Sequence, residues 1–285
     1  MSAPPADPPG AGAASQQRDA QRAFDPARFH ELRAGRVGSF GATLQYQAQT
    51  GSTNDDALAA ARAGAPSGSV FLADHQTQGR GRRGKSWVAA PGHHLLFSIL
   101  VRPGGAAPPP SALTLAVGLG VRAALAPSSL APLGLKWPND VLAEGRKLGG
   151  ILCEGQFSGS SLSAVVIGIG INVLAAPYPA ELVPHVACLE DLASERARVP
   201  SREQLLVDLL AEVEARLDTC SRQGFAALLG EFAAHDALAG ERVEVSGGAA
   251  LAGIARGVDT DGRLLVESDG LLVPVLSGTV RVAAS

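Results

Sequence analysis

Residues 1–23 show no apolar period; they are rich in Pro, Ala, Gly and Ser, a composition that predicts a disordered tail. Periodic segments begin with Phe24–Leu32, a short helix, and Thr43–Gln49, a strand. Ser52-Thr53-Asn54-Asp55-Asp56 then opens a helix that runs through Ala57–Ala63 to Gly64, with acids in its first turn. Val70–Ala73 and His94–Val101 read as buried strands, separated by a Gly/Arg loop at 79–86. After a Pro/Gly loop at 103–110, an apolar helix is expected at about Leu113–Leu125. Leu133–Gly150 predicts a strand and a hairpin, and the nearly continuous apolar runs Ile151–Gly155 and Val165–Ile171 predict central strands. Leu205, Leu206, Leu209, Leu210, Val213 and Leu217 recur at helical spacing, so Arg202–Leu217 is a helix, with a second around Phe225–Phe232.

From Gly240 the texture changes. Arg242–Val245, Gly253–Val258, Leu264–Glu267, Leu271–Val275 and Thr279–Val282 are short alternating runs, with the turn signals Gly247-Gly248, Asp261-Gly262 and Asp269-Gly270 among them. These predict a small β-barrel-like domain. The expected organisation is α+β: a weakly structured tail over 1–40, a main domain over 41–237 and an all-β domain over 238–285.

Composition narrows the function. Hydrophobic residues make up 46% of 285 positions, enough for a real core. A net charge of −3 argues against a protein that coats nucleic acid. Apolar runs such as Ala164–Ile169 fall short of a membrane span, and no signal peptide is visible. Cys153, Cys188 and Cys220 lack metal-ligand spacing and read as reduced, which suits the cytoplasm. The chain has three lysines, Lys85, Lys136 and Lys147; they and both tryptophans, Trp87 and Trp137, fall within residues 79–150. That stretch is the place to look for chemistry.

Gly79-Arg80-Gly81-Arg82-Arg83-Gly84-Lys85-Ser86 satisfies two phosphate-loop patterns formally. Both need a helix to start at the loop's end, and Pro91-Gly92 would cut one off within a turn. What survives is a concentrated positive charge on a glycine-hinged loop, suited to a polyanion or a carboxylate. A solvated basic loop, or one touching RNA phosphates, fits those residues alone equally well.

Five segments in order change that balance: Gly51-Ser52-Thr53-Asn54, the run Gln76 to Gly84, Lys136-Trp137-Pro138-Asn139-Asp140, Lys147-Leu148-Gly149-Gly150-Ile151-Leu152 and Val166 to Val173. Together they resemble the biotin–protein ligases over roughly residues 45–175, with a looser match at Gly253 to Val258. The resemblance implies a mixed sheet related to class II aminoacyl-tRNA synthetases, with flanking helices and a C-terminal SH3-like barrel. It implies a catalytic biotin- and ATP-binding domain and a two-step reaction. Biotin and ATP, with Mg²⁺ offsetting phosphate charge, give biotinyl-5′-AMP; a carrier-protein lysine then takes the biotinyl group.

Carried over by position, Ser52, Thr53 and Gln76 should bind the ureido ring, Gly79 should border biotin, and Gly149 and Gly150 should let a strand backbone approach it closely. Arg80 and Arg82 should hold carboxylate and phosphate; Arg83, Trp87 and Asn172 should face the nucleotide. Lys147, Asp140 and Arg82 are the expected catalytic residues, and no fixed protein ligand to a metal is expected. Read alone, Ser52 and Thr53 suit a helix cap equally, and Asp140 suits a structural turn. Arg281 lies near the position of a C-terminal arginine that reaches nucleotide in some relatives, but out of register. The expected partner is a biotin carboxyl carrier domain. Some relatives carry an N-terminal winged helix for which the residues before the pattern leave no room, so no operator binding and no repressor activity are expected. No membrane association is expected either, and dimerisation is left open. A lipoate or octanoate ligase is the nearest rival enzyme, and a non-catalytic nucleic-acid-binding protein is the rival from another class.

Overall fold

The apolar runs and their breaks fold into a seven-stranded mixed sheet. Its strands are Leu44–Thr50 (β1), Val70–Gln76 (β2), His94–Val101 (β3), Leu133–Lys136 (β4), Asp140–Ala143 (β5), Arg146–Ser158 (β6) and Ser161–Asn172 (β7). The spatial order is β1-β2-β3-β7-β6-β5-β4, with β1 parallel to β2 and all other pairs antiparallel. The computed structural model describes residues 23–105, 107–159, 161–193, 199–247 and 250–283.

Alternation along β7 explains both faces of the sheet. Ile167, Ile169 and Ile171 join the main core with helices Pro110–Leu125 (α3) and Arg202–Gln223 (α5). Each such side chain contributes about 1.5–3 kcal/mol by leaving water. On the opposite face Val166 packs with Ala57 and Ala61 of Thr53–Arg62 (α2), the helix that crosses from β1 to β2. Gly168 and Gly170 continue that second face, where they leave a floor without side chains. A short helix, Leu189–Leu192 (α4), and Leu229–Ala233 (α6) complete the helical set after α3.

Two corrections follow from packing. The expected tail over 1–40 does not hold for residues 24–40: Phe24, Phe29 and Phe40 are buried in the core. Asp25 caps Pro26–Arg33 (α1), accepting from the amides of Ala27 and Arg28, and the Phe24 amide donates to the Asp74 carboxylate. Aromatic anchors override the Pro/Gly composition there; residues 1–22, also expected to be disordered, lie outside the described residues. Second, Pro110–Ser128 is long and apolar enough by composition to cross a membrane. Its apolar residues are spent instead on the core, where Leu115, Val117, Leu119, Val121 and Leu125 are buried. Gly120 lets α3 cross α5 closely, since a Cβ there would stand 2.6 Å from Val213 Cα.

The C-terminal residues form a five-stranded antiparallel sheet from Arg242–Ser246 (β8), Leu251–Val258 (β9), Leu264–Ser268 (β10), Leu271–Val275 (β11) and Thr279–Val282 (β12), in order β11-β10-β9-β8-β12. Asp269 and Gly270 both take positive φ, 51° and 77°, as a two-residue hairpin turn requires. This sheet is braced on the main domain through its β9–β10 turn. Trp137 Nε1 donates to Gly262 O at 3.0 Å and Ser111 Oγ to Asp261 O at 2.6 Å.

Candidate functional site

The sheet register lays one row of residues across the open face. Leu96 pairs with Gly170, Gly170 with Gly150, Gly150 with Asp140, and Asp140 with Lys136. Directly paired residues share a face, so the two glycines form the floor and Asp140 and Lys136 its far side. Lys147 would point to the core by simple alternation. A register shift in the β5–β6 pairing, at Val141/Leu142, changes that. It keeps Leu148 and Gly149 both on the core side and returns Lys147 to the cleft, a typical use of a bulge. Lys147 Nζ then lies 2.7 Å from Asp140 Oδ1 and 5.3 Å from the centroid of the Trp87 ring.

Above this floor is a cleft of about 500 Å³. One end is polar and built on the start of α2. Ser52 stands at the N-cap, yet its side chain makes no capping bond, so it lines the cleft instead. Gln76 Oε1 accepts from the Thr53 amide at 2.7 Å and from Thr53 Oγ1 at 3.1 Å. Ser98 Oγ lies 2.7 Å from Thr53 Oγ1 and 2.6 Å from Asn54 Oδ1, which fixes this corner from β3. A buried, hydrogen-bonded polar corner beside an apolar floor suits a small ligand with one polar ring and one apolar chain.

The Gly/Arg loop forms the roof. Trp87 N donates to Gly79 O at 2.9 Å and Gly81 N to Lys85 O at 2.6 Å, with a single 3₁₀ turn at Arg82–Gly84. No helix follows it, as both phosphate-loop patterns would need. Gly79 is required because a Cβ would stand 3.0 Å from Trp87 O. Trp87 lies over the floor glycines: a Cβ on Gly170 would be 2.8 Å from its indole, and its Nε1 is buried without a partner among the described residues.

The three arginines differ. Arg80 pairs with Asp55 through two contacts of 2.6 and 2.7 Å and with Glu154 at 3.4 Å, and the Arg80 guanidinium holds the Asp55 carboxyl below its ordinary value. The Arg82 side chain lines the cleft with no hydrogen bond or ion pair among the described residues. Burial first, then neighbouring Arg83, pushes its guanidinium below its ordinary pKa, against the opposing pull of Asp140. A desolvated cation beside an ion pair is suited to an anion.

Two expected nucleotide residues are placed otherwise. Asn172 is 3% exposed and does not line the cleft; its Nδ2 donates to Lys147 O and Ala187 O, each at 3.0 Å. Its buried amide is spent on backbone, so it holds β6 and the 186–187 segment in place. Arg83 borders the cleft but sends its guanidinium to the C-terminal sheet, donating to Gly247 O at 2.8 Å. Conversely, Asn54 and Lys136 were quoted within motifs but given no role, Ser98 and His185 were not singled out, and Arg281 was set aside; structure brings Asn54, Lys136, His185 and Arg281 to the cleft wall. Arg281 arrives with Gly278 to Val280 from the C-terminal sheet, a proximity that no local spacing encodes. His94 has no place in the cleft. It is buried, with Nε2 2.7 Å from Tyr178 Oη and Nδ1 3.2 Å from Ala90 O, and burial holds its pKa down to about 4.

A polar corner, a glycine floor, a lysine–carboxylate pair and an arginine roof, followed by a small antiparallel sheet, define a class. Residues 46–172 match the Biotin/lipoate A/B protein ligase family and residues 239–282 the Biotin protein ligase C terminal domain. The chain is 41% identical over 253 residues to a biotin–[acetyl-CoA-carboxylase] ligase of Mycobacterium tuberculosis, covering 86% of this chain and 90% of that protein. It is 36% identical to one from Paracoccus denitrificans, with 77% and 92% covered. The solved biotin protein ligase from Aquifex aeolicus in complex with biotin and ATP shares 27% identity and a TM-score of 0.75, covering 85% of this chain and all of that one. The chain belongs to the biotin protein ligase family and is a ligase.

Proposed function

We propose that this ligase activates biotin with ATP as biotinyl-5′-AMP and transfers the biotinyl group to a lysine of a biotin carboxyl carrier domain. The observation that carries the reading is the cation-rich centre of the cleft, with Arg82 unpaired beside the Lys147–Asp140 pair. The ureido ring sits against Ser52, Thr53 and Gln76, close to Gly79 and Gly150, and the carboxylate points toward Lys147 and Arg82. A carboxylate oxygen attacks the α-phosphorus, and pyrophosphate leaves. Lys147 and Arg82 stabilise the charge that builds on the carboxylate and α-phosphate. Trp87 borders the adenine, and Arg80 reaches phosphate by exchanging one anion, Asp55, for another. Mg²⁺ is read as entering with ATP, as part of the substrate.

In the second step the carrier's lysine amine attacks the acyl carbon of the mixed anhydride, and AMP departs with the phosphate oxygen. Asp140 lies beside Lys147, placed to receive or orient the amine's proton. The roof keeps water from hydrolysing the anhydride. The sheet with its flanking helices is read as the class II synthetase-like architecture, the C-terminal sheet as an SH3-like barrel, and the compartment as the cytoplasm.

Pyrophosphate release from MgATP tests this with biotin, lipoate or no acid present. Release that depends on biotin is expected. Release with lipoate alone would move the substrate within the family, and release with neither acid would sink the reading.

A further inference from the structure

Of the three loop arginines, Arg83 borders the cleft but sends its guanidinium to the C-terminal sheet. Its backbone is left-handed, φ 59° and ψ 40°, a region that residues other than Gly, Asn and Asp rarely occupy. Such a conformation persists where surroundings hold it. The Arg83 side chain donates from Nη2 to Gly247 O at 2.8 Å, in the turn after β8. Gly247 is shaped for it: any Cβ there would fall within the Arg83 guanidinium.

The acceptor belongs to a braced body. The same sheet is fixed to the main domain at another turn, where Gly262 meets α3 so closely that a Cβ would stand 2.5 Å from Ala112 N. Trp137 and Ser111 add their hydrogen bonds at that turn. The sheet's last strand also lines the cleft through Gly278 to Arg281. A roof side chain bonded to this body ties the roof to a sheet braced elsewhere on the main domain.

We propose that Arg83 is the catch that holds the 79–86 loop closed against the C-terminal sheet, so that this sheet sets how long the activated intermediate stays in the cleft. The proposal rests on the biotin-activating reading. Arg83 acts through the loop's position and touches no reacting atom, so it is a positioning residue. It also gives the C-terminal sheet a task in the first half-reaction's product: keeping an anhydride that water would destroy.

The test measures escape of preformed biotinyl-AMP from wild type, Arg83→Ala, Arg83→Lys, Gly247→Ala and the Arg83→Ala/Gly247→Ala double variant, together with the KM for ATP. Arg83→Ala and Gly247→Ala should each speed escape about three- to ten-fold, the net worth of one exposed hydrogen bond. Arg83→Lys, which keeps a donor, should fall between. The double variant should be no faster than the faster single one, because both remove the same contact. Unchanged escape in Arg83→Ala, additive effects, or a raised ATP KM with unchanged escape would overturn the proposal.

Trypsin cleavage after Arg80 and Arg82 in the unliganded proteins gives an arm that needs no substrate. Faster cleavage in Arg83→Ala and Gly247→Ala is expected, and cleavage equal to wild type in both overturns the catch. If wild type makes no intermediate from biotin and ATP, the functional reading fails while this arm still judges the catch.

Discussion

Gly150, Leu152, Gly168 and Gly170 hold the floor of the cleft through backbone pairing of adjacent strands, in a register that fixes each residue's face. Arg80, Arg82 and Arg83 form the roof by a different means. One arginine is pinned by carboxylates, one by the Gly247 carbonyl after β8, and the third makes no side-chain hydrogen bond or ion pair among the described residues. The floor is therefore rigid by construction, and its shape depends on the absence of side chains. The roof is positioned by a few polar contacts, each worth about 0.5–1.5 kcal/mol net. The contrast divides substitutions into two kinds. Changes that shift the floor strands should disturb seating and stability together, whereas changes taken up by the roof should alter kinetics and leave the fold alone.

Lys147 sits where the two regions meet, and its loss should have the largest effect. It grows from the bulged floor, pairs with Asp140 and lies near the Trp87 ring. Lys147→Ala should slow both half-reactions by about 10²–10³-fold, the range for removing one group that stabilises developing charge. Unfolding midpoints should change little, because the pair is partly exposed, at 34% and 27% of the side chains. Biotin-dependent pyrophosphate release and transfer from preformed biotinyl-AMP would be followed separately. Loss of only one half-reaction would mean that Lys147 serves one anion and not a shared centre.

Much of the floor was legible in the sequence. Val166 to Ile171 alternates apolar residues with glycine, and that period states which face is core and which is bare. The five strands after Gly240 were legible for the same reason, with Asp-Gly turns at their ends. The limits were tertiary. Lys147 faces the cleft because of a register shift, Asn172 is consumed by two carbonyls from distant segments, and Arg281 reaches the cleft from the other sheet. The Phe24–Leu32 helix was legible, but the tail bounds over 1–40 followed composition, which averages over Phe24, Phe29 and Phe40, and three buried rings outweigh their surroundings.

The comparison sharpens in acid. His94 opens β3 in the floor's own sheet and is held neutral: its pKa lies at about 4, pushed down by burial, with His93, Arg202 and His75 adding to it. The folded state thus binds this proton less readily than the unfolded chain, whose histidine titrates near 6.5. The stability it contributes is fully present above the unfolded value and is lost as pH falls toward the folded one. The loss approaches about 3 kcal/mol at full titration. Urea midpoints at pH 7.5, 6 and 5 should fall steadily for wild type and less steeply for His94→Gln. Equal slopes would show that this histidine is already relieved in the folded protein.

The smallest expected effect is the one that separates floor from roof most directly. Gly170→Ala adds a single Cβ at 2.8 Å from the Trp87 indole, and this neighbour is a rigid ring whose own backbone amide is bonded to Gly79 O. Something must shift, and overpacking of this kind costs about 1–3 kcal/mol. If the floor is the rigid partner, Trp87 moves. The KM values for biotin and ATP should then rise about ten-fold while the unfolding midpoint changes little, since only the roof has given way. If the roof is the rigid partner, β7 must move against β3 and β6, and the protein loses stability before it loses affinity. Measuring KM and unfolding midpoint on the same variant tells the two apart. A stability loss with unchanged KM would reverse the assignment of which region yields.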